Sequence, residues 1–304
     1  MRHIFIVNPV SGKGKAANAY IPVIEDYIKS SGIDGEIYVT KSSRDGMRYV
    51  EEIAKKGEKV RFYACGGDGT LYEVVNGCRK YDNCEVAAIP LGSGNDFVRL
   101  FGKNTNIDDQ VNGVPMKMDL IVTDGQVAIN QCSMGVDAEV CAKQADFKKL
   151  PFVGGEMAYN LALVYCLFGK LKSEFKITID DKEVHEGTYL FCYIGNSRWY
   201  GGGYKAGPLA MPNDGLLDFV IVKLDRSRLR LLPLIKKYKN GEHLDWDITT
   251  FRRGKKITVE SKKTAAVNVD GECEYVNKKT FEIIEKGITF VVPRGSEFLN
   301  MKAE

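Results

Sequence analysis

Apolar and polar positions along the first third of the chain alternate between two periods. Short apolar runs at 4–8, 36–40, 60–65 and 86–90 have the length of strands. Between them, 16–30, 47–56 and the set Leu71, Val74, Val75 and Cys78 at i, i+3, i+4 and i+7 have the period of helices. This alternation predicts a parallel sheet with helices on both faces, and such sheets bind ligands at the carboxyl ends of their strands. After about residue 117 the texture changes. Brief runs at 119–123, 127–131, 176–180 and 188–194, with turn signals at Asp124-Gly125 and Asp180-Asp181, predict a mostly antiparallel second domain. Runs at 257–260, 265–269, 281–285 and 288–292 read as closing strands, the last of them free to return to the first domain. Helical stretches at 156–169 and 228–240 interrupt this part. The expected architecture is α/β, with one domain over 1–120 plus a return of about 288–304 and a β-rich domain over 121–287.

Composition narrows the partners. The 304 residues carry 44% hydrophobic and 27% charged side chains, which excludes wholesale disorder. Lys and Arg number 43 against 40 Asp and Glu, and a net charge of +3 is too small for a general nucleic-acid coat. Cys65, Cys78, Cys84, Cys132, Cys141, Cys166, Cys192 and Cys273 include no C-x-x-C pair and no histidine at finger spacing, so they read as reduced thiols rather than zinc ligands. The start of the chain runs straight into a strand-like segment with no signal-peptide pattern, and the tail around Arg294-Gly295-Ser296 continues a plausible final strand. The most apolar run, 161–168, is far short of the roughly 20 residues that span a bilayer. Any membrane contact is therefore expected from outside.

Three loops carry the chemistry. Gly66-Gly67-Asp68-Gly69-Thr70 lies between a buried strand and an amphipathic helix. Glycines let backbone approach phosphate oxygens, and the helix aims unpaired N–H groups at an anion. Asp68 would be repelled by bare phosphate, so its presence suggests a cation, most simply Mg²⁺. The bland alternative is a tight turn. Pro90-Leu91-Gly92-Ser93-Gly94-Asn95-Asp96-Phe97 follows the next strand and is expected to open another helix with Asn95 or Asp96 near its cap. The opening loop, Asn8-Pro9-Val10-Ser11-Gly12-Lys13-Gly14, contains Gly12-x-Gly14-x-x-Ala17 with Asp34 or Glu36 about 20 residues on, a dinucleotide-like pattern. It lacks the spacing of a Walker loop, and a nicotinamide reading leaves the other two loops unexplained.

Asn8-Pro9-x-Ser11-Gly12, Gly66-Gly67-Asp68-Gly69-Thr70, Pro90-x-Gly92-Ser93-x-Asn95-Asp96-Phe97, Met211-Pro212-Asn213-Asp214-Gly215 and Val269-Asp270-Gly271-Glu272 occur in order over nearly the whole chain. Together they resemble the soluble diacylglycerol kinase catalytic family, which includes bacterial lipid kinases, sphingosine kinases and ceramide kinases. The resemblance implies an ATP-binding first domain like those of NAD kinases and phosphofructokinases, a β-sandwich second domain that takes the lipid substrate, and an ATP site in the interdomain cleft. By position it implies ATP contacts at Asn8, Pro9, Val10, Ser11, Gly12, Thr40, Gly66, Gly67, Asp68, Gly69, Thr70, Leu71, Tyr72 and Ser93, with Asn95 and Asp96 in the neighbouring loop. It also implies a structural Mg²⁺ on the Met211 and Leu216 carbonyls and the Asp214 carboxylate, where the residues alone read equally as an Asx turn. Ser93 stands where Thr is common, and Tyr72 where Asn is common.

Phosphoryl transfer to a hydroxyl needs a proton acceptor and charge neutralisation. Asp270-Gly271-Glu272 supplies two carboxylates, or merely a hairpin turn. The family favours Glu272 as base, and Asp270 is left as base or metal holder. The expected reaction transfers the γ-phosphoryl of Mg-ATP to a lipid hydroxyl, with diacylglycerol giving phosphatidic acid as the leading case. An NAD kinase-like enzyme and a non-catalytic sensor are the alternatives. Asp68 and Asp96 would organise Mg²⁺, and Lys13, Lys15 and Arg99 either neutralise phosphate or sit in solvent.

The expected location is cytoplasmic, peripheral to the inner face of the membrane, and a homodimer is left open. Arg226, Arg228, Arg230, Lys236, Lys237 and Lys239 flank Leu229, Leu231, Leu232, Leu234 and Ile235, a basic amphipathic pattern that suits either anionic lipid or packing on its own domain. Trp199 and Tyr200 read as lipid entrance or core. Cys65 reads as a buried strand thiol, and the three histidines carry no catalytic assignment.

Overall fold

The structure, a computed structural model, describes residues 1–301 apart from 148–149, 151–152, 154, 170–171 and 225–227. The chain begins β1 (Arg2–Val7), α1 (Lys15–Ser31), β2 (Gly35–Val39), α2 (Asp45–Ala54), β3 (Val60–Gly66), α3 (Asp68–Cys78), β4 (Cys84–Pro90), α4 (Ile107–Val111) and β5 (Val114–Thr123). It continues β6 (Gln126–Ala128), β7 (Gln131–Gly135), α5 (Val136–Phe147), α6 (Gly155–Phe168), β8 (Ser173–Ile179), β9 (Glu183–Gly195), β10 (Leu217–Lys223), α7 (Arg228–Asn240), β11 (Thr249–Gly254), β12 (Lys256–Val269) and β13 (Glu272–Val292). Two compact units result, Met1–Asp119 with Glu285–Glu304, and Leu120–Ile284.

In the first unit β2, β1, β3 and β4 pair in that order, all parallel, and Thr289 and Phe290 of β13 add a parallel neighbour to β4. Every residue of β3 is buried, as a central strand covered on both faces requires. Phe5, Val7, Tyr63, Ile89 and Val291 meet Ile24 of α1 in the core beneath these strands. The helix ends follow local chemistry. α1 stops at Gly32, in the left-handed conformation with its N–H on the Ile28 carbonyl, and the Asn106 side chain caps α4 by accepting from the N–H groups of Asp108 and Asp109.

The second unit orders its strands β11, β10, β9, β7, β12, β13, with β8 pairing both β12 and β9, and these pairings are antiparallel. The protein is thus mixed α/β in two units, and the expected separation into one parallel sheet and one antiparallel sandwich holds only in part. β13 is antiparallel to β12 at one end and parallel to β4 at the other, and β5 pairs with both β13 and β6.

Several expected elements differ. The single strand at 127–131 is two, because the N–H groups of Ile129, Asn130 and Gln131 bond to the Asp270 carboxylate. The pairs 257–260 with 265–269 and 281–285 with 288–292 are continuous strands, β12 carrying a register shift between Glu260 and Ala265. α5, β10 and β11 join the expected set.

Candidate active site

Strand ends in the first unit bring the three glycine loops together. The Asn8 N–H donates to the Cys65 carbonyl and that of Thr40 to the Val7 carbonyl, so the chain leaving β1 is tied to β3 and β2. The Asn8 side chain spans two loops: Nδ2 reaches Thr70 Oγ1 at 3.3 Å, while Oδ1 accepts from the Val10 N–H at 3.2 Å. Gly66 lies so close to the α3 start that a Cβ there would stand 2.2 Å from Thr70 Oγ1 and 3.0 Å from Ser11 Oγ. The Gly66 carbonyl accepts from the N–H groups of Leu91 and Gly92, at 2.8 and 3.0 Å, and a Cβ on Gly92 would fall 2.4 Å from the Gly67 Cα. Glycine at these positions is therefore what lets the loops touch.

Asn95 holds the third loop closed. Its φ is 54°, its Oδ1 accepts from the Gly92 N–H, and its Nδ2 donates to the Gly92 carbonyl at 2.6 Å. Asp96 follows at the N-cap of a 3-10 helix, Phe97–Phe101, where its side chain makes no capping hydrogen bond. Its backbone N–H instead donates to Asp68 Oδ1 at 2.7 Å. A Cβ on Gly94 would lie 2.6 Å from Asp68 Oδ2 and 3.5 Å from Asp96 Oδ2, so both carboxylates face the bare Gly94 backbone.

Burial first, and then the charge of Asp96, push the Asp68 pKa up to about 6, against the pull of backbone N–H groups from Asp96, Asn95 and Phe97. Two carboxylates held this close, one of them resisting ionisation, are a donor set that a hard divalent cation would relieve. Mg²⁺ characteristically binds one or two carboxylates and completes its shell with phosphate and water. These residues fit the ion. Among the described residues, no group of three or more His, Cys, Asp or Glu side chains gathers at metal-binding distance.

The remaining expected contacts fall around this centre unevenly. Val10, Gly12 and Ser93 are exposed, and Pro9, Ser11, Thr40 and Gly67 are half-buried. Leu71 and Tyr72 turn into the core, which leaves them only backbone to offer a ligand. Arg99 pairs with Asp96 Oδ1 at 2.9 Å, and the side chains of Lys13 and Lys15 lie outside the described residues. Two residues here were not singled out in the sequence. Glu73, directly after the glycine loop, accepts from the N–H groups of Arg44 and Met47 and fixes the start of α2, and Lys103 donates to the Gly94 carbonyl at 2.9 Å.

The second unit presents Asp270 and Glu272 on the β12–β13 hairpin. Val269 pairs with Glu272 across a two-residue turn with φ of 48° at Asp270 and 101° at Gly271, the left-handed pair that Asp-Gly sequences favour. The hairpin reading of these residues is therefore realised. The Asp270 carboxylate is spoken for by three backbone donors, Ile129 at 2.7 Å, Asn130 at 3.2 Å and Gln131 at 2.8 Å. Three backbone donors fix this carboxylate in place at the turn. Glu272, one residue beyond the turn, is exposed.

The Asp214 turn also forms as the bland reading has it. Oδ1 accepts from the Leu216 N–H at 3.0 Å, and Oδ2 is bridged by Arg253 at 2.6 Å. Arg253 also holds Asp218 at 2.9 Å, and Arg198 donates to the Ala210 carbonyl and the Met211 sulfur. The Asp214 carboxylate is thus engaged by the Leu216 N–H and by a guanidinium that it shares with Asp218.

Elsewhere, Cys65 is fully buried and burial raises its thiol pKa. His3 meets the Tyr63 hydroxyl, His185 meets Glu183, and buried His243 meets the Ala206 carbonyl. Tyr200 is buried, while Trp199 is half-buried.

A diacylglycerol kinase catalytic domain matches residues 2–148, and a YegS C-terminal NAD kinase beta sandwich-like domain matches residues 130–292. A diacylglycerol kinase of Bacillus subtilis is 26% identical, covering 95% of each chain. Another from Staphylococcus saprophyticus is 28% identical over 88% of this chain and 87% of its own. In fold, the chain is similar to a diacylglycerol kinase crystal structure from Bacillus anthracis, with a TM-score of 0.72, 21% identity and coverage of 97% and 98%. It is less similar to an NAD kinase from Archaeoglobus fulgidus in complex with ATP, with a TM-score of 0.54, 14% identity and coverage of 98% and 96%. Two overlapping domain matches that together span residues 2–292 place this protein in the family of lipid kinases built on the diacylglycerol kinase catalytic domain.

Proposed function

We propose that the protein transfers the γ-phosphoryl group of Mg-ATP to a hydroxyl of a membrane lipid, with diacylglycerol as the first acceptor and phosphatidic acid as product. The observation that carries this reading is the convergence of the loops at 8–12, 66–70 and 91–96 on a pair of adjacent carboxylates, Asp68 and Asp96. ATP phosphates would lie against the backbone of Gly66, Gly67 and Gly69 and the start of α3, with the Asn8 to Gly12 loop, Thr40 and Ser93 completing the contacts. Asp68 and Asp96 would hold Mg²⁺. When bound, the ion neutralises the charge on the β- and γ-phosphate oxygens.

Glu272 takes the proton of the lipid hydroxyl as its oxygen bonds to the γ-phosphorus and the bond to the bridging β-γ oxygen breaks, releasing ADP. Asp270, locked to three backbone N–H groups, sets the turn that presents Glu272.

The lipid comes from a bilayer, and among the described residues no helix is long and apolar enough to cross one. Of the two readings of α7, packing on its own unit is supported. Leu231, Leu234, Ile235 and Tyr238 pack into the second unit's core, while Lys236 and Lys237 are exposed. Arg226 and the side chains of Arg228, Leu229, Arg230 and Leu232 lie outside the described residues. α6 offers the better docking face. Met157, Leu161, Val164, Tyr165 and Phe168 fall at helical spacing and are all exposed, Phe168 at 72%. The opposite side, with Tyr159, Ala162 and Cys166, faces the core. Contiguous exposed apolar side chains of this kind mark a contact surface, here the lipid bilayer.

The test is transfer of labelled phosphate from Mg-ATP to diacylglycerol, sphingosine, ceramide, polyprenol and NAD in mixed micelles. Label on diacylglycerol is the expected result. Label on NAD alone would overturn the lipid kinase reading in favour of a nucleotide kinase. Phe168→Glu is expected to reduce sedimentation with anionic vesicles while leaving transfer to micellar lipid intact.

A further inference from the structure

The eight cysteines differ sharply in access. Cys65, Cys78, Cys84, Cys132, Cys166 and Cys192 are buried, whereas Cys141 is half-buried and Cys273 exposed. The two within reach of solvent come from different elements, α5 and the start of β13, yet they meet at one atom. Each thiol donates to the Gly271 carbonyl oxygen from 3.8 Å, and Cys273 Sγ also reaches the Ala138 carbonyl of α5 at 3.9 Å. Ala138 and Cys141 stand three residues apart on α5, so they share the face it turns to the hairpin.

That hairpin is the one that carries Glu272. Its turn is anchored on one side, where Asp270 accepts from three backbone N–H groups and the Gly271 N–H donates to Asn268 Oδ1 at 2.7 Å. On the other side the Gly271 carbonyl faces the two thiols. Cys273 directly follows Glu272, and because side chains alternate along a strand, Cys273 turns to α5 while Glu272 takes the opposite face. Oxidants act on thiolates they can touch, so exposure selects these two sulfurs. Burial raises the thiol pKa of Cys65, Cys132 and Cys192 and withholds them further. The phosphoryl-transfer scheme uses neither Cys141 nor Cys273.

We propose that Cys141 and Cys273 form a reversible disulfide when a hydroperoxide reaches them, and that this bond draws the Glu272 turn onto α5 and halts phosphoryl transfer. The Cys273 thiolate attacks the terminal oxygen of the hydroperoxide. The O–O bond breaks, an alcohol (or water) leaves, and Cys273 becomes a sulfenic acid. The Cys141 thiolate then attacks that sulfur, the S–S bond forms, the S–O bond breaks, and the hydroxyl leaves as water. Two thiols have lost two electrons and two protons, and the hydroperoxide has taken them up. The product removes both S–H donors from the Gly271 carbonyl and ties the residue beside Glu272 to a helix. The bond itself stands on the geometry, and its effect on rate rests on the reading of Glu272 as base.

The test treats reduced protein with hydrogen peroxide, blocks the remaining thiols under denaturing conditions and maps linked peptides by mass spectrometry. A single link between Cys141 and Cys273 is expected, with the buried cysteines blocked as thiols. Transfer of labelled phosphate to micellar diacylglycerol is expected to fall about 10²-fold, the cost of moving a catalytic group by about 1 Å, and to return with dithiothreitol. Cys141→Ser and Cys273→Ser should match the reduced parent in rate and resist the loss, and in Cys141→Ser dimedone should trap a sulfenic acid on Cys273.

A different linked pair, no link, or a linked protein of undiminished rate would overturn the proposal. So would equal inactivation of the parent and Cys141→Ser. Linkage is read without turnover, so the two readings fail separately. A link between Cys141 and Cys273 in a protein that transfers no phosphate when reduced removes the kinase reading and keeps the disulfide, whereas transfer by the reduced protein without any link does the reverse.

Discussion

Asp68 in the first unit and Asp270 in the second are both carboxylates on glycine-bearing turns, and their surroundings are opposite. Asp270 has both oxygens engaged by three successive backbone N–H groups. Asp68 has backbone donors too, but it is half-buried beside the buried carboxylate of Asp96, and its pKa rises to about 6. A charge that is fully met serves the scaffold. A charge that is crowded by its own kind is held there at the expense of stability, and that is the arrangement expected where a bound cation and phosphate complete the balance.

The sharpest way to break this contrast is to remove the charge at each place. Asp68→Asn keeps an acceptor for the Asp96 N–H while removing the repulsion, so phosphoryl transfer is expected to fall about 10³-fold, with a Tm equal to or above that of the parent by calorimetry. Glu272→Gln should lower kcat about 10²-fold, the lower end for loss of a general base. Its exposure predicts an unchanged Tm. Asp270→Ala should act in the opposite register, orphaning three backbone donors at a loss of about 3 kcal/mol. For a unit of this size that is roughly 6–12 °C in Tm, with activity per folded molecule at low temperature within tenfold of the parent.

The smallest effect is a pH dependence. The folded-state pKa of Asp68 is raised from 3.8 to about 6, so the native state holds its proton more tightly than the unfolded chain. The destabilisation is therefore absent below about pH 4, grows as the pH rises, and is complete above the folded value. The Tm advantage of Asp68→Asn should follow the same course. Asp270→Ala, measured alongside, should show no such growth between pH 4 and 6.

Much of this was legible along the chain because the relevant interactions are local. Strand ends followed by Gly66-Gly67-Asp68 and Gly92-Ser93-Gly94 declare a loop cluster, since glycine is needed where backbones nearly touch. What the sequence concealed depends on distant partners. α5 was hidden because buried Asp137 breaks the apolar side of its helical pattern, and its acceptance there depends on Tyr200, 63 residues away. β10 carries buried Asp218, tolerable only because Arg253 of β11 reaches across, and the arginines of β11 in turn read as solvent-exposed. The different surroundings of Asp270 and Glu272 could not be read from spacing, because they depend on backbone donors at 129–131 that lie 139 to 141 residues from Asp270.

The most direct test is labelled phosphate transfer from Mg-ATP to diacylglycerol by Asp68→Asn and Asp270→Asn proteins, with rates divided by the folded fraction measured in the same buffer. The account predicts that Asp68→Asn is folded and nearly inactive, while Asp270→Asn loses stability and keeps most of its rate per folded molecule. Full activity in Asp68→Asn, or a folded but inactive Asp270→Asn, would contradict the assignment of the first carboxylate to chemistry and the second to scaffold.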